Sequence, residues 1–273
     1  MRKIVSFDFD KTLFDHRTMR IPDSALHALE KLRENGTLIV LATGRDMDNY
    51  YSRPYLDWIR PDARIDQNGT KIVADGRIIF EHFMDRGLLD RLLSYAEEHG
   101  VGFGATIGDL DYYVHPERVE EAEMRRFGVC GRKFVDAGKL LGMKVRTVAF
   151  IGTEKEALEM ERHFPEISLR MFSINYGADV IEKGFSKAEG LIRLCDYYKV
   201  PLSETYAFGD SGNDTEIIEA AHVGIAMGNG RPELKEKADY VTDPIDADGV
   251  WNALVHFGLI SGETKKDGAA ERA

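Results

Sequence analysis

Apolar residues fall in short runs separated by polar, glycine-rich junctions, and the spacing changes twice along the chain. In the first third, Lys3–Phe7 is an apolar run that reads as a buried strand. Leu26, Leu29 and Leu32 recur at helical spacing and predict a helix over Asp23–Asn35, with Asp23 or Ser24 as N-cap and Gly36 at its end. Thr37–Ala42 is a second apolar strand, and a polar-aromatic helix is expected to follow it to about Ile59. Ile65 to Val73 contains the turn signal Asp66-Gln67-Asn68-Gly69, and Asp75-Gly76 reads as a hairpin turn between antiparallel strands.

The middle groups its elements differently. Helical spacing over Leu88–His99 precedes strand patterns at Val101–Ile107 and Asp111–His115, then a charged helix at Glu117–Phe127. A strand at Val145–Ile151, a helix at Glu154–Phe164 and strands at Ser168–Asn175 and Asp179–Glu182 complete an α+β pattern. The last third returns to alternation. A helix at Ser186–Tyr198 leads to strands at Thr205–Phe208, Val223–Met227 and Tyr240–Thr242, with a helix at Asp214–Ala221 between the first two. The fold class is therefore α/β: a Rossmann-like core with a parallel sheet, plus an inserted α+β domain. The expected division is 1–81 and 184–260 for the core, 82–183 for the insert, and 261–273 for a polar, disordered tail.

Composition narrows the function classes. The 273 residues suffice for one large or two ordinary domains. A net charge of −11 argues against nucleic acid or an anionic membrane surface as partner. It leaves anionic small molecules open, because a local cation can dominate a site. Cys130 and Cys195 have no metal-binding or redox spacing and read as reduced thiols of a cytoplasmic protein. No apolar run is long enough for a membrane span, Met1-Arg2-Lys3 is not a signal peptide, and no obligate protein partner is evident.

The candidate chemistry sits at strand ends. The first strand runs into Asp8 and Asp10, followed by Thr12. Buried parallel strands do not carry carboxylates without compensation, and strand C-termini of an open α/β sheet face one ligand-binding edge. Thr43-Gly44-Arg45, Lys187, and Asp210 with Asn213-Asp214 converge on that edge if the strands are parallel. Asp8, Asp10, Asp210 and Asp214 offer oxygen ligands suited to Mg²⁺. Thr43, the Gly44 amide and Lys187 make an anion cradle. A cation, an anion cradle and a free carboxylate suit phosphoryl transfer: one Asp attacks phosphorus, and the other moves the proton.

These residues resemble a known family. Asp8-Phe9-Asp10-Lys11-Thr12, Leu41-Ala42-Thr43-Gly44-Arg45, Gly184-Phe185-Ser186-Lys187-Ala188 and Gly209-Asp210-Ser211-Gly212-Asn213-Asp214 are similar, in order and spacing, to the four motifs of haloacid dehalogenase (HAD) superfamily phosphatases. Ala226-Met227-Gly228-Asn229-Gly230 and Asp248-Gly249-Val250 resemble signatures of the Cof-type, subfamily IIB group, and the likeness runs to about Ile260. The resemblance implies that Asp8 is the nucleophile and Asp10 the general acid/base. Thr43, Gly44, Lys187 and Asn213 would bind phosphate. Asp8, the Asp10 backbone carbonyl, Asp210 and Asp214 would hold Mg²⁺, Asp214 directly or through water. The insert would be a cap that selects the substrate. The implied activity is Mg²⁺-dependent hydrolysis of a small phosphorylated metabolite through an aspartyl phosphate, with sugar phosphates first and pyridoxal phosphate or flavin mononucleotide next.

Lys11 departs from the pattern, standing where the group has Gly, and either adds charge to the site or points to solvent. The Asp10-Lys11-Thr12 string is superficially that of ion pumps, but an acid two residues after the nucleophile favours hydrolysis. A phosphomutase or phosphotransferase, and a non-catalytic ligand-binding protein on the same scaffold, are the rival readings; dehalogenation needs neither the metal nor the second acid. Each residue also has a plainer reading. Asp214 could cap the following helix, Arg45 could be a structural ion pair, and Arg118 to Arg126 reads as a solvated helix face. Tyr112, Tyr113, His115, Arg118 and Arg146 could face a substrate, although aromatic strands are more often core. The role of Asp179, before the third motif, stays open.

Overall fold

A computed structural model describes residues 2–172 and 176–262, with the side chains of residues 126 and 127 left aside. The expected strand end at 173–175 and most of the polar tail lie outside the described residues.

The first segment folds as β1 (Ile4–Phe7), α1 (Asp23–Glu34), β2 (Leu38–Ala42), α2 (Leu56–Ile59), β3 (Ala63–Asp66), β4 (Lys71–Ala74) and β5 (Arg77–Glu81). The middle comprises α3 (Arg86–His99), β6 (Gly102–Ile107), β7 (Leu110–Val114), α4 (Pro116–Phe127), β8 (Phe134–Val135), β9 (Val148–Thr153), α5 (Glu154–His163), β10 (Ile167–Met171) and β11 (Tyr176–Glu182). The last part comprises α6 (Lys187–Tyr198), β12 (Thr205–Gly209), α7 (Thr215–Ala220), β13 (Val223–Ala226), α8 (Pro232–Lys235), β14 (Tyr240–Val241) and α9 (Gly249–His256).

Two sheets result. One has the order β14-β13-β12-β1-β2-β3-β4-β5, and the other β10-β11-β9-β6-β7-β8. In the first, β14 through β3 are parallel, and β4 and β5 add an antiparallel edge. Side chains of a strand alternate between faces, so β1 feeds two cores. Val5 and Phe7 pack with Leu29 and Leu32 of α1 and Trp251 and Leu254 of α9. Ile4 packs with Leu38 and Val40 of β2, Leu191 and Leu194 of α6, and Ile217 and Ile218 of α7. The second sheet is antiparallel except for the β7–β8 pair, and it has its own core around Phe103, Phe150, Leu92 and Met160. This is the mixed α/β fold that the hydrophobic pattern predicts.

Three local expectations fail for identifiable reasons. The polar-aromatic helix after Arg45 is absent; turns run to a 3-10 turn at Arg53–Tyr55 and the single helical turn of α2. Asp46 and Asn49 side chains accept the backbone N–H groups of Asp48 and Ser52, which competes with helix formation, and Pro61 follows closely. The N-cap of α1 is Pro22 without a side-chain cap, while Asp23 lies in the first turn, where its charge suits the helix dipole. The pattern also missed α9, which the sequence marks only by the Asp248-Gly249-Val250 string.

Candidate active site

Because β1, β2 and β12 are parallel, Asp8, Thr43 and Asp210 follow their strands at the same edge. Lys187 reaches them from the start of α6, where the Ser186 side chain accepts the Glu189 N–H as N-cap. An ammonium at a helix N-terminus opposes the dipole, and this one is also fully buried. Two carboxylates compensate: Lys187 Nζ donates to Asp8 Oδ1 and to Asp214 Oδ1, each at 2.6 Å. Their charges outweigh burial and hold the ammonium well above its ordinary range. The other oxygen of Asp214 accepts the backbone N–H groups of Asp210 and Ser211. Gly209 permits this fold-back, since a Cβ there would lie 2.4 Å from the Asp214 Cβ. Asp214 makes no side-chain cap on α7, against its plainer reading; its side chain closes back on the turn that follows β12 and carries half of the lysine's pairing.

Asp8, Asp210 and Asp214 each place a carboxylate oxygen within 4.8 Å of the others. Three acids against one lysine leave a surplus of negative charge. Burial pushes Asp8 upward against the opposing charge of Lys187, with Asp214, Asp210 and Asp10 adding repulsion. Burial and the Asp214 charge push Asp210 up to about 7, and Lys11 opposes this. Lys11 therefore adds charge to the site. It adopts a left-handed conformation (φ 62°), and its carbonyl accepts the Asn229 amide. A clustered, under-neutralised oxygen donor set fits a divalent hard cation.

A second acidic group, Asp46, Asp48 and Asp66, has similar spacing. There, Lys71 Nζ lies 3.2 Å from Asp46 and 3.6 Å from Asp66 and also pairs with Asp48, while Arg64 reaches Asp48 and Asp66. Two protein cations already occupy that cluster and offset most of its charge.

Asp10 is not a free acid. Arg45 grips both of its oxygens, at 2.8 and 2.6 Å, and His16 Nε2 lies 2.6 Å from Oδ1. Burial pushes the Asp10 carboxyl up, but the Arg45 charge and the hydrogen bonds from His16 and Arg45 prevail and hold it well below the usual carboxylate range. The guanidinium also lies 4.8 Å from the centre of the Phe9 ring, which fixes its plane. Arg45 is thus the ion pair of its plainer reading, but its partner is the proposed proton carrier.

Asp179, left open by the sequence, comes from β11 of the second sheet to the edge of the first. Its Oδ2 accepts the Asn68 amide at 2.9 Å, and a Cβ on Gly44 would lie 2.4 Å from that oxygen and displace it. Asn68 Oδ1 in turn accepts Asn213 Nδ2 at 3.1 Å, and Asn213 Oδ1 accepts the Ser211 hydroxyl at 2.8 Å. Burial pushes Asp179 up to about 6, with the Asn68 hydrogen bond and the Lys187 charge opposing. Asn68 was legible only as a turn residue; its left-handed backbone (φ 54°, ψ 35°) is what directs it into this line.

A cavity of about 370 Å³ lies between the two sheets' elements. Asp8, Asp10, Gly44, Asp210 and Asn213 line it, whereas Thr43, Lys187 and Asp214 stand behind them. Thr43 Oγ1 accepts the Arg45 N–H at 3.1 Å and retains its own proton for donation. The sequence did not single out His16, Ser211, Val119, Ala122 or Phe172, which line the cavity too. The helix expected to be a solvated face is α4, and Val119, Ala122 and Glu123 turn one side of it to the cavity. Tyr112 and Tyr113 are buried core, and none of the five residues considered for substrate contact lines the cavity. Cys130 and Cys195 are free, and burial pushes the Cys195 thiol up to about 11, which makes it unreactive. Among the described residues no helix is long and apolar enough to cross a membrane.

Comparisons with known proteins bear on the family and the fold. The sequence model of the haloacid dehalogenase-like hydrolases matches residues 5–254. YkrA of Bacillus subtilis, which is named a phosphatase, is 32% identical over 94% of this chain and 98% of its own. The solved structure of BT1666, from a study of phosphatases in Bacteroides thetaiotaomicron, is similar at a TM-score of 0.86 and 29% identity, covering 95% of this chain and 96% of that one. The HAD subclass IIB sugar phosphatase BT4131 is similar at a TM-score of 0.85 and 30% identity, covering 94% of this chain and 100% of that one.

Proposed function

Because the chain belongs to the haloacid dehalogenase-like hydrolases, we propose that it is a Mg²⁺-dependent phosphatase acting on a small phosphorylated metabolite through an aspartyl-phosphate intermediate. The observation that carries this reading is Lys187. A fully buried ammonium at a helix start, bonded to two carboxylates, is costly unless its charge is used.

In this mechanism the phosphoryl group rests against the Gly44 amide, the Thr43 hydroxyl and the Asn213 amide. Asp8 attacks phosphorus with the oxygen that Lys187 leaves free, and the bond to the leaving alcohol breaks. Lys187 offsets the charge that would otherwise repel the nucleophile. Asp8, Asp210, Asp214 and the Asp10 carbonyl would hold Mg²⁺, which when bound supplies further neutralisation of the charge on the transferring group. Asp10 protonates the leaving oxygen. The incoming phosphate dianion opposes the field of Arg45 and raises Asp10 toward that role. Once the alcohol has left, ionised Asp10 takes a proton from the water that attacks the phosphoenzyme, and Asp8 is regenerated. Water is the acceptor in this reading; a phosphotransferase would use the same base on a second alcohol, and the release of free phosphate separates the two. The elements of residues 82–183 act as a cap over the reacting group and exclude bulk water. The two free thiols support a cytoplasmic location.

Phosphate release from a panel of phosphate monoesters, with Mg²⁺ and with chelator, tests the proposal beside Asp8→Asn. Release that needs Mg²⁺ and is lost in Asp8→Asn supports it. Release that survives Asp8→Asn refutes the nucleophile. Sugar phosphates head the panel on the family resemblance alone.

A further inference from the structure

The second acidic group, Asp46, Asp48 and Asp66, is built unevenly. Asp66 ends β3 and is fully buried, and neither of its oxygens has a hydrogen bond among the described residues. Its Oδ2 lies 3.6 Å from Arg64 Nη1 and 3.6 Å from Lys71 Nζ, just beyond bonding distance. Arg64 Nη1 is buried and has no hydrogen bond either. Both cations donate to the loop after β2 instead. Arg64 Nη2 reaches Asp48 Oδ1 at 2.9 Å, and Lys71 Nζ reaches Asp46 Oδ1 at 3.2 Å and also Asp48 Oδ2. The charged groups facing Asp66 are thus Arg64 of its own strand, Lys71 of β4, and Asp46 and Asp48 of the loop.

That loop is pinned at two points, because Met47 and Ser52 are buried. Between them Asp48, Tyr50 and Tyr51 are exposed, so residues 48–51 form a strap held down by the pairs to Asp48. Tyr50 and Tyr51 border a second cavity of about 260 Å³, across from Thr106, Asp109 and Lys133 of the second sheet's elements. The N–H groups of Asp48, Asn49, Ser52 and Arg53 are bonded within the loop.

This pairing suits a neutral Asp66. An ionised carboxylate in its place would be buried without one hydrogen bond, which costs far more than a neutral acid there. Burial pushes Asp66 up to about 7 against Arg64 and Lys71, with Asp46 and Asp48 adding repulsion, so the neutral form persists to about neutrality. Ionisation changes which acid the cations serve best. Water already solvates Asp48, whose side chain is 52% exposed, whereas a buried anion depends on its ion pair.

We infer that Asp66, Arg64 and Lys71 form a proton-operated clasp on the strap. With Asp66 neutral, the two cations hold Asp48; with Asp66 ionised, they close on Asp66 and release the strap. The proton leaves to solvent, and only hydrogen bonds and ion pairs change. Rising pH therefore loosens the edge of the second cavity. The clasp stands on this cluster alone and does not depend on the phosphatase reading.

Hydrogen exchange of the full chain with chelator, followed by mass spectrometry at pH 5.5 and pH 8.5, tests it. Labelling times are scaled to the intrinsic exchange rate at each pH, and peptides from β9 to β11 report any global opening. Wild type should lose protection over residues 48–53 by about fivefold or more between the two pH values, and Asp66→Asn should keep its protection at both. Asp48→Ala, an exposed substitution, should show the loosened strap already at pH 5.5. Equal protection at both pH values in wild type, or a fall of the same size in Asp66→Asn, would overturn the clasp. Should Asp66→Asn not fold, undiminished protection at pH 5.5 in Asp48→Ala would overturn it as well.

Discussion

Replacing Lys187 by Met keeps the length of the side chain and removes its charge. In the structure that charge is fully buried and bonded to Asp8 and Asp214, which are buried themselves. Removing one member of such a group strands the others, which costs about 3–5 kcal/mol. For a chain of this size that is a fall in Tm of roughly 6–20 °C. The loss has a pH signature. Without the ammonium, the two buried carboxylates face each other with no opposing charge, so the deficit is largest above neutrality. It shrinks as acid protonates them. Urea unfolding of wild type and Lys187→Met at pH 5 and pH 8, both with chelator, measures it. Mg²⁺ at pH 8 should restore part of the stability, because Asp8, Asp210 and Asp214 can share a cation in place of the lysine. Turnover should fall by about 10²-fold or more, the usual effect of losing a charge stabiliser of the transition state. A deficit below about 1 kcal/mol, or one that grows on acidification, would refute the argument that this lysine is held by ionised partners.

Other expectations follow from single residues. Asp66 is buried, and both its oxygens lack hydrogen bonds among the described residues, so burial pushes it up to about 7 against Arg64 and Lys71. A raised carboxyl stabilises the fold below its unfolded value and loses that contribution as pH rises through the folded one. Asp66→Asn should therefore gain on wild type between about pH 4 and pH 8, by roughly 4 kcal/mol at most; thermal melts across that range that show no relative gain would contradict this. Lys11→Gly removes a positive charge that acts on Asp210 and relieves a left-handed non-glycine backbone. It should tighten Mg²⁺ binding severalfold by calorimetry without lowering Tm; unchanged binding would place the Lys11 charge outside the site. Asp179→Ala frees Asn68, and through it Asn213, so KM should rise about five- to tenfold for the loss of one charge-assisted hydrogen bond. Asp179→Asn, which can still accept the Asn68 amide, should recover most of that, and equal KM values in the two variants would break the proposed relay.

The parts of this molecule legible in the sequence are those where a local rule and the fold agree. The run into Asp8 announces a buried strand with acids at its end, and the Thr43-Gly44 and Asp210 clusters fall at the ends of two more strands that turn out parallel to it. Lys187 was legible only through the motif around it, because composition says a lysine belongs on the surface. Pairings between distant segments left no local mark. Arg45 and His16 meet on Asp10 from a loop after β2 and a turn after β1, and nothing in either string states the geometry. Asp179 and Asn68 are 111 positions apart, one in β11 of the second sheet and the other in the turn between β3 and β4 of the first. The loop after Arg45 misled for the opposite reason: its aromatic residues mimic a helical pattern while Asp46 and Asn49 side chains satisfy the backbone instead. The helix α4 reads as charged because its exposed side dominates the string, yet its quieter residues, Val119 and Ala122, face the cavity together with Glu123.

The most direct test is to trap the intermediate. Wild type and Asp10→Asn, each with Mg²⁺ and the phosphate monoester of the panel that wild type turns over fastest, are quenched in acid during turnover, and their peptides are examined by mass spectrometry. The account predicts a phosphoryl group on the peptide that carries Asp8, with a larger fraction in Asp10→Asn, because the residue that activates the hydrolytic water is gone. A protein that releases phosphate with Mg²⁺ but never carries the phosphoryl group at Asp8 in either form would contradict it.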